Sequence, residues 1–139
     1  MKREILQTLD GSTTIHLPDW NESYHSKHGA IQEAYHVFIK NGLDLFITAS
    51  EISILEIGFG TGLNALITML EAEKRQIKVN YVGVEAYPIS QEEIAQMNYV
   101  SELDSEMYQE IFDKMHSCDW ENLQSITENF LLTKRKQFF

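Results

Sequence analysis

Residues 52–63 constrain the fold more than any other stretch. Ile52-Ser53-Ile54-Leu55-Glu56-Ile57 is β-branched or apolar at nearly every position, the pattern of a strand buried on both faces. Glycines follow at alternate positions, Gly58, Gly60 and Gly62, and Leu63 to Ala72 is rich in helix formers. A strand that runs through glycines into a helix can lay bare backbone against a ligand. The glycines allow the tight turn, and a side chain at Gly60 would fill the space the ligand needs. Val79 to Glu85 repeats the buried-strand pattern, and Asn129 to Thr133 offers a third strand. Alternating strands and helices predict an α/β fold, a parallel sheet with right-handed crossovers and flanking helices.

Before this unit the chain reads differently. Glu4–Leu9 and Ser12–Leu17 flank Asp10-Gly11, which predicts a hairpin with a two-residue type I′ turn. Pro18-Asp19-Trp20-Asn21 breaks the pattern, and residues 22–29 are polar without a period. Ala30, Ala34, Val37 and Phe38 are spaced as one helical face, closed by Asn41-Gly42 as a C-terminal cap. A further short helix is expected over Leu43–Ala49. Beyond Glu85, Ser90 with Glu93 forms a capping box that starts a helix at Gln91. Met107, Ile111, Phe112 and Met115 mark a last helical face ending near His116. The expected organisation is one domain: an N-terminal hairpin with helices over residues 1–50, and a ligand-binding half over 51–139.

Composition narrows the class. The chain has 139 residues and a net charge of −10, which opposes non-specific nucleic-acid binding because attraction to phosphate needs a basic surface. Lys2-Arg3, Lys74-Arg75 and Lys134-Arg135-Lys136 are short clusters that read as solvated surface. No apolar run reaches the roughly 20 residues of a membrane span, and the N-terminus lacks the apolar core of a secretory signal. Cys118 stands alone, so an internal disulfide is ruled out and a cytoplasmic location is expected. His25, His28 and His36 lack a cysteine or paired carboxylate and make a poor metal set; His116-Ser117-Cys118 reads the same way.

Two acidic residues give the glycine loop its meaning. Glu85 ends the next strand, where an acid can accept hydrogen bonds from the two ribose hydroxyls of an adenosine. Glu56 stands two residues before the first glycine. Dinucleotide folds favour G-x-G-x-x-G, whose third glycine packs a helix around a pyrophosphate, but Leu63 fills that position here. The G-x-G-x-G spacing after an acid instead resembles motif I of S-adenosylmethionine methyltransferases. Glu56 suits the cationic sulfonium and amino-acid part of that cofactor. Asn64, in the first helical turn, either contacts the amino-acid part or is simply a polar residue of that turn.

A wider resemblance extends the case. Glu22-Ser23-Tyr24-His25-Ser26, Gly29-Ala30-Ile31-Gln32-Glu33, His36-Val37-Phe38 and Glu56-Ile57-Gly58-Phe59-Gly60-Thr61-Gly62-Leu63-Asn64 together resemble the methyltransferase domain of MnmC-type tRNA-modifying proteins. The resemblance implies the N-terminal half of a Rossmann-like class I methyltransferase fold, preceded by a β-hairpin. It implies S-adenosyl-L-methionine as cofactor and tRNA as substrate, with methylation of the exocyclic amine of 5-aminomethyl-2-thiouridine at the wobble position. The cofactor residues it implies are Tyr24, Glu56, Gly58, Phe59, Gly60, Gly62, Asn64 and Glu85, with Tyr24 folded over the pocket. From its residues alone, Tyr24-His25 is equally an aromatic and an imidazole packed in a loop.

One departure is expected to matter. Members of that family carry an Asp at the end of a fourth strand beside the acceptor amine, and some are fused to a flavin-dependent oxidase domain. Lys136-Gln137-Phe138-Phe139 comes before any such strand, so the acceptor side would be missing and no catalytic base is named. Without that strand Ile52–Ile57 becomes an open edge, apolar and free of Pro or Lys, inclined to pair in a homodimer. Two rival functions stay open: a nicotinamide-dependent oxidoreductase, and a non-catalytic module that binds cofactor or a partner.

Overall fold

The computed structural model describes residues 1–46 and 48–139. Two sheets form. In the first, β1 (Glu4–Gln7), β2 (Thr13–Leu17) and β3 (Glu22–Ser23) pair antiparallel in that order. The second has the order β4 (Glu51–Ile57), β5 (Lys78–Glu85), β7 (Phe130–Lys136), β6 (Gln124–Thr127). β4, β5 and β7 are parallel, as expected, but β6 is antiparallel to β7, so the sheet is mixed. Gln124-Ser125-Ile126-Thr127 carries one apolar residue in four, too few to announce a strand.

α2 (Leu63–Arg75) joins β4 to β5, while α3 (Gln91–Ala95), α4 (Tyr99–Glu102) and α5 (Gln109–Ser117) lie between β5 and β7. Both crossovers step the same way across the sheet, and right-handed crossovers then deliver their helices to one face. The registers bear this out. Ile54, Tyr81 and Leu132 lie side by side on the face whose residues Tyr81 and Leu132 are fully buried. The core gathers them with Leu63, Leu66, Ile67 and Met69 of α2. Leu55, Val82 and Thr133 line the other face, where Leu55 is 64% and Ile57 54% exposed. The expectation that this strand is buried on both faces is therefore corrected: β4 is an edge strand covered on one side.

The hairpin turn also differs from expectation. Five residues, Thr8–Ser12, separate β1 from β2, and of Asp10-Gly11 only Gly11 has positive φ (+90°). A type I′ turn needs both, so this is a wider loop, and its side chains have another task. Thr8 Oγ1 accepts the Ala30 N–H at 3.2 Å, Ser12 Oγ the Ile31 N–H at 3.2 Å and Asp10 Oδ2 the Gln32 N–H at 3.0 Å. Together they satisfy the open N–H groups of α1 (Ala30–Ala34), a helix whose own N-cap, Gly29, has no side chain to do so. Burial opposes ionisation of Asp10, but hydrogen bonds from Ser12, Gln32 and Thr8 hold its carboxyl below the ordinary value.

The helix over Ala30–Lys40 forms in two registers. Tyr35–Lys40 is π-helical, closed by Asn41 N–H on His36 O at 3.2 Å. Its inward residue is accordingly Ile39, five after Ala34, and Val37 is turned out at 53% exposed. Asn41-Gly42 ends the helix without a left-handed cap: Asn41 has φ −101°, and glycine is required at 42 because a Cβ would lie 2.4 Å from Phe38 O. The short helix expected over Leu43–Ala49 is a 3₁₀ turn over Leu43–Phe46, and Ile47 lies outside the described residues.

α3 and α5 follow their signals, with one shift. The Ser90/Glu93 capping box is present at the start of α3. α5 buries Phe112 and Met115, whereas Met107 precedes it in a 3₁₀ turn and is 85% exposed. Lys134 corrects the reading of the basic clusters: it sits on the covered face of β7, 1% exposed, donating to His116 O at 2.7 Å. An amine there meets the carbonyl end of α5, where positive charge is favoured. Asn98 ties the first sheet to the start of α4, taking the Thr13 N–H on Oδ1 at 2.9 Å and donating to Gly11 O at 2.8 Å.

Candidate functional site

The carboxyl ends of β4 and β5 open into a cavity of about 460 Å³, within the usual range for small-molecule sites. Seven of the eight residues singled out in the sequence line it: Tyr24, Glu56, Gly58, Phe59, Gly60, Asn64 and Glu85. Gly62 does not. It lies behind the loop, where a Cβ would come within 2.9 Å of His116 Nε2.

The loop has the left-handed backbone its glycines allow, with φ of +90°, +54° and +77° at Gly58, Gly60 and Gly62. The open side is at Gly58, where a Cβ would meet nothing within 4 Å. At Gly60 the space is held by Tyr24, whose Cδ2 would lie 3.1 Å from a Cβ, rather than left for a ligand. Tyr24 thus lies against the middle of the loop. Phe59 is 4% exposed, and its ring turns under the loop onto Gly83, where a Cβ would be 2.4 Å away. Its placement is that of a core residue at the cavity wall.

The two carboxylates have different surroundings. Glu85 Oε1 accepts the Gly60 N–H at 2.7 Å and Oε2 the Tyr87 N–H at 3.1 Å. Each oxygen retains a second acceptor site, so the same group can still receive two hydroxyls. Glu56 is 5% exposed. Tyr81 donates to its Oε1 at 2.8 Å and Asn64 to its Oε2 at 2.7 Å. Burial pushes the Glu56 carboxyl up to about 7, hydrogen bonds from Asn64 and Tyr81 pull it down, and Glu85 raises it further. Asn64 is therefore the partner that orients Glu56, a third arrangement beyond the two left open by its position.

Tyr81 was not anticipated. Parallel register sets Glu56 beside Gly83, and strand period then puts Tyr81 on the same face one step away, so the pair was legible once β4 and β5 were aligned. His25 also lines the cavity, with Nδ1 2.7 Å from Thr14 Oγ1 and its ring edge-on to Tyr99. Burial pushes its imidazole down to about 4. No group of three or more His, Cys, Asp or Glu suited to a metal ion occurs among the described residues.

No family model matches the chain. Among curated proteins it is similar to a tRNA 5-methylaminomethyl-2-thiouridine biosynthesis bifunctional protein of Leptospira interrogans, 36% identical over 93 residues, covering 60% of this chain and 14% of that protein. Its counterpart in Cupriavidus metallidurans is 32% identical over 95 residues, 65% of this chain and 14% of the relative. The one in Hydrogenovibrio crunogenus is 26% identical over 124 residues, 82% and 18%. These relatives are MnmC proteins. The resemblance read from residues 22–64 thus extends over 60–82% of the chain, which spans less than a fifth of the length of the MnmC relatives it matches. Among solved structures, MnmC2 from Aquifex aeolicus superposes with a TM-score of 0.68 at 23% identity, covering 99% of this chain and 43% of that one. That likeness shows a shared fold.

Proposed function

We propose that this chain is the cofactor-binding part of an S-adenosylmethionine-dependent methyltransferase of the MnmC type, with a Rossmann-like fold. One observation carries the reading: the glycine loop, Glu56 and Glu85 line one cavity at the carboxyl ends of two parallel strands, in a chain similar to MnmC proteins.

The residues fit the ligand. The open side of Gly58 admits a ligand to the backbone, and the free acceptor sites of Glu85 match the paired hydroxyls of a ribose. Glu56 offers a buried carboxylate to a cation, aimed by Asn64 and Tyr81. Tyr24 closes the loop from above. When bound, the cofactor supplies an electrophilic methyl group on sulfur. These side chains supply orientation and exclude water from it, which is most of what a methyl transfer to an amine requires. No residue of this chain is assigned as the base.

The acceptor in this reading is the aminomethyl group of 5-aminomethyl-2-thiouridine in tRNA, in keeping with the names of the relatives. Location in the cytoplasm, where tRNA is modified, accompanies it; no described helix is long and apolar enough to cross a membrane. The free edge of β4 is closed in the same reading by a second copy of this chain. Equilibrium dialysis with labelled S-adenosylmethionine tests the function: the chain retains label that excess S-adenosylhomocysteine displaces. A chain that retains none overturns the proposal.

A further inference from the structure

Thr61 is the one residue with a side chain between two left-handed glycines, Gly60 and Gly62. It is 1% exposed, and two groups far away in sequence hold it. Tyr99 donates its hydroxyl to Thr61 Oγ1 at 2.9 Å. His116 Nε2 lies 2.8 Å from the Thr61 carbonyl oxygen. A carbonyl can only accept, so the imidazole carries its proton on Nε2. Phe112 stands edge-on to both rings, 6.1 Å from Tyr99 and 4.9 Å from His116, so neither ring can swing away without opening the core. The fit against Gly62 leaves no room for a Cβ. The loop is thus gripped from behind by α4 and α5 and from the front by Glu85 on the Gly60 N–H.

We propose that Tyr99 and His116 are positioning residues: by holding the hydroxyl and carbonyl of Thr61 they fix the glycine loop in its ligand-ready form. Affinity for an adenosyl ligand is then set partly by two residues outside the loop and outside the cavity wall. The part concerning affinity rests on the methyltransferase reading; the part concerning loop geometry does not.

Two measurements separate these parts. Tyr99→Phe keeps the ring and removes only the hydroxyl, His116→Phe removes the donor, and His116→Gln keeps an N–H donor. Amide hydrogen exchange in the unliganded protein reads the loop. Exchange at Gly58–Gly62 is expected to quicken at least about tenfold in Tyr99→Phe and His116→Phe, while β5 keeps its wild-type rates and His116→Gln stays near wild type. Calorimetric titration with S-adenosylhomocysteine is expected to show at least about fivefold weaker binding in the same two variants, with rescue in His116→Gln. Unchanged loop exchange in folded Tyr99→Phe overturns the proposal. So does unchanged affinity in a protein whose wild type binds the ligand. A wild type that binds no S-adenosylhomocysteine counts against the methyltransferase reading alone, and the exchange rates then decide the role of Tyr99 and His116. If His116→Phe fails to fold, Tyr99→Phe carries both measurements.

Discussion

Glu85 Oε1 accepts the N–H of Gly60 across 2.7 Å, tying the end of β5 to the middle of the glycine loop. In the proposed function the same carboxylate also receives ribose hydroxyls. Hydrogen bonds to a charged group contribute about 1.5–3 kcal/mol each. Glu85→Ala is expected to weaken S-adenosylhomocysteine binding at least about tenfold. Glu85→Gln, which still offers a carbonyl oxygen to Gly60, should fall between the two. Equal affinity of wild type and Glu85→Ala by calorimetry would remove Glu85 from the site.

Glu56 predicts a proton effect on binding. With its carboxyl raised to about 7 by burial, a fraction of molecules carries the proton at neutral pH. A cation bound beside it favours the carboxylate and expels that proton. The enthalpy of S-adenosylmethionine binding at pH 7 should therefore vary with the ionisation enthalpy of the buffer, and Glu56→Gln should abolish the variation. Identical enthalpies in phosphate and Tris buffers would contradict the placement of the sulfonium near Glu56.

Acid should destabilise the protein in a defined window. Burial holds the imidazoles of His25 and His116 near 4, below the ordinary 6.5. A lowered folded-state value means that the unfolded chain binds the extra protons, so this contribution is complete above pH 6.5 and is lost as pH falls toward 4. Glu56 acts oppositely: its raised value stabilises below 4.5 and the effect is lost as pH rises through 7. Two histidines outweigh one carboxyl, so the melting temperature is expected to fall between pH 6.5 and 4. His25→Phe should make that fall shallower. A melting temperature flat across the window would contradict the buried, neutral state of both rings.

The bare edge of β4 gives a fourth expectation. Leu55 and Ile57 stand exposed beside backbone that no strand among the described residues pairs, a combination that recruits another strand. Sedimentation equilibrium is expected to show dimers, and Leu55→Lys to shift them toward monomer without changing S-adenosylhomocysteine affinity. A monomer at every concentration would contradict pairing between copies.

Local patterns made much of this legible. Glycine spacing, the acids at two strand ends, the Ser90/Glu93 box and the parallel strands β4, β5 and β7 all depend on neighbours in sequence or on strand period. What stayed hidden depends on partners brought together by folding. Thr8, Asp10 and Ser12 look like turn residues, and only the arrival of α1 makes them its cap. Lys134 reads as part of a surface cluster until strand alternation turns it under α5. His116 reads as a stray imidazole because its partner, Thr61, is 55 positions away. The π-helical register of Tyr35–Lys40 moved the buried position from Val37 to Ile39, a shift that a fixed helical period cannot show. The exposed face of β4 follows from topology, which sends every crossover helix to the opposite face.

In the proposed function the glycine loop and its two acids hold an adenosyl ligand rather than a dinucleotide. A ligand that binds only the folded state raises the melting temperature by mass action. The most direct measurement is the thermal melt of the wild-type chain with S-adenosylhomocysteine and, separately, with NAD at equal concentration. A rise with S-adenosylhomocysteine and none with NAD is expected; a rise with NAD alone would contradict an adenosyl site.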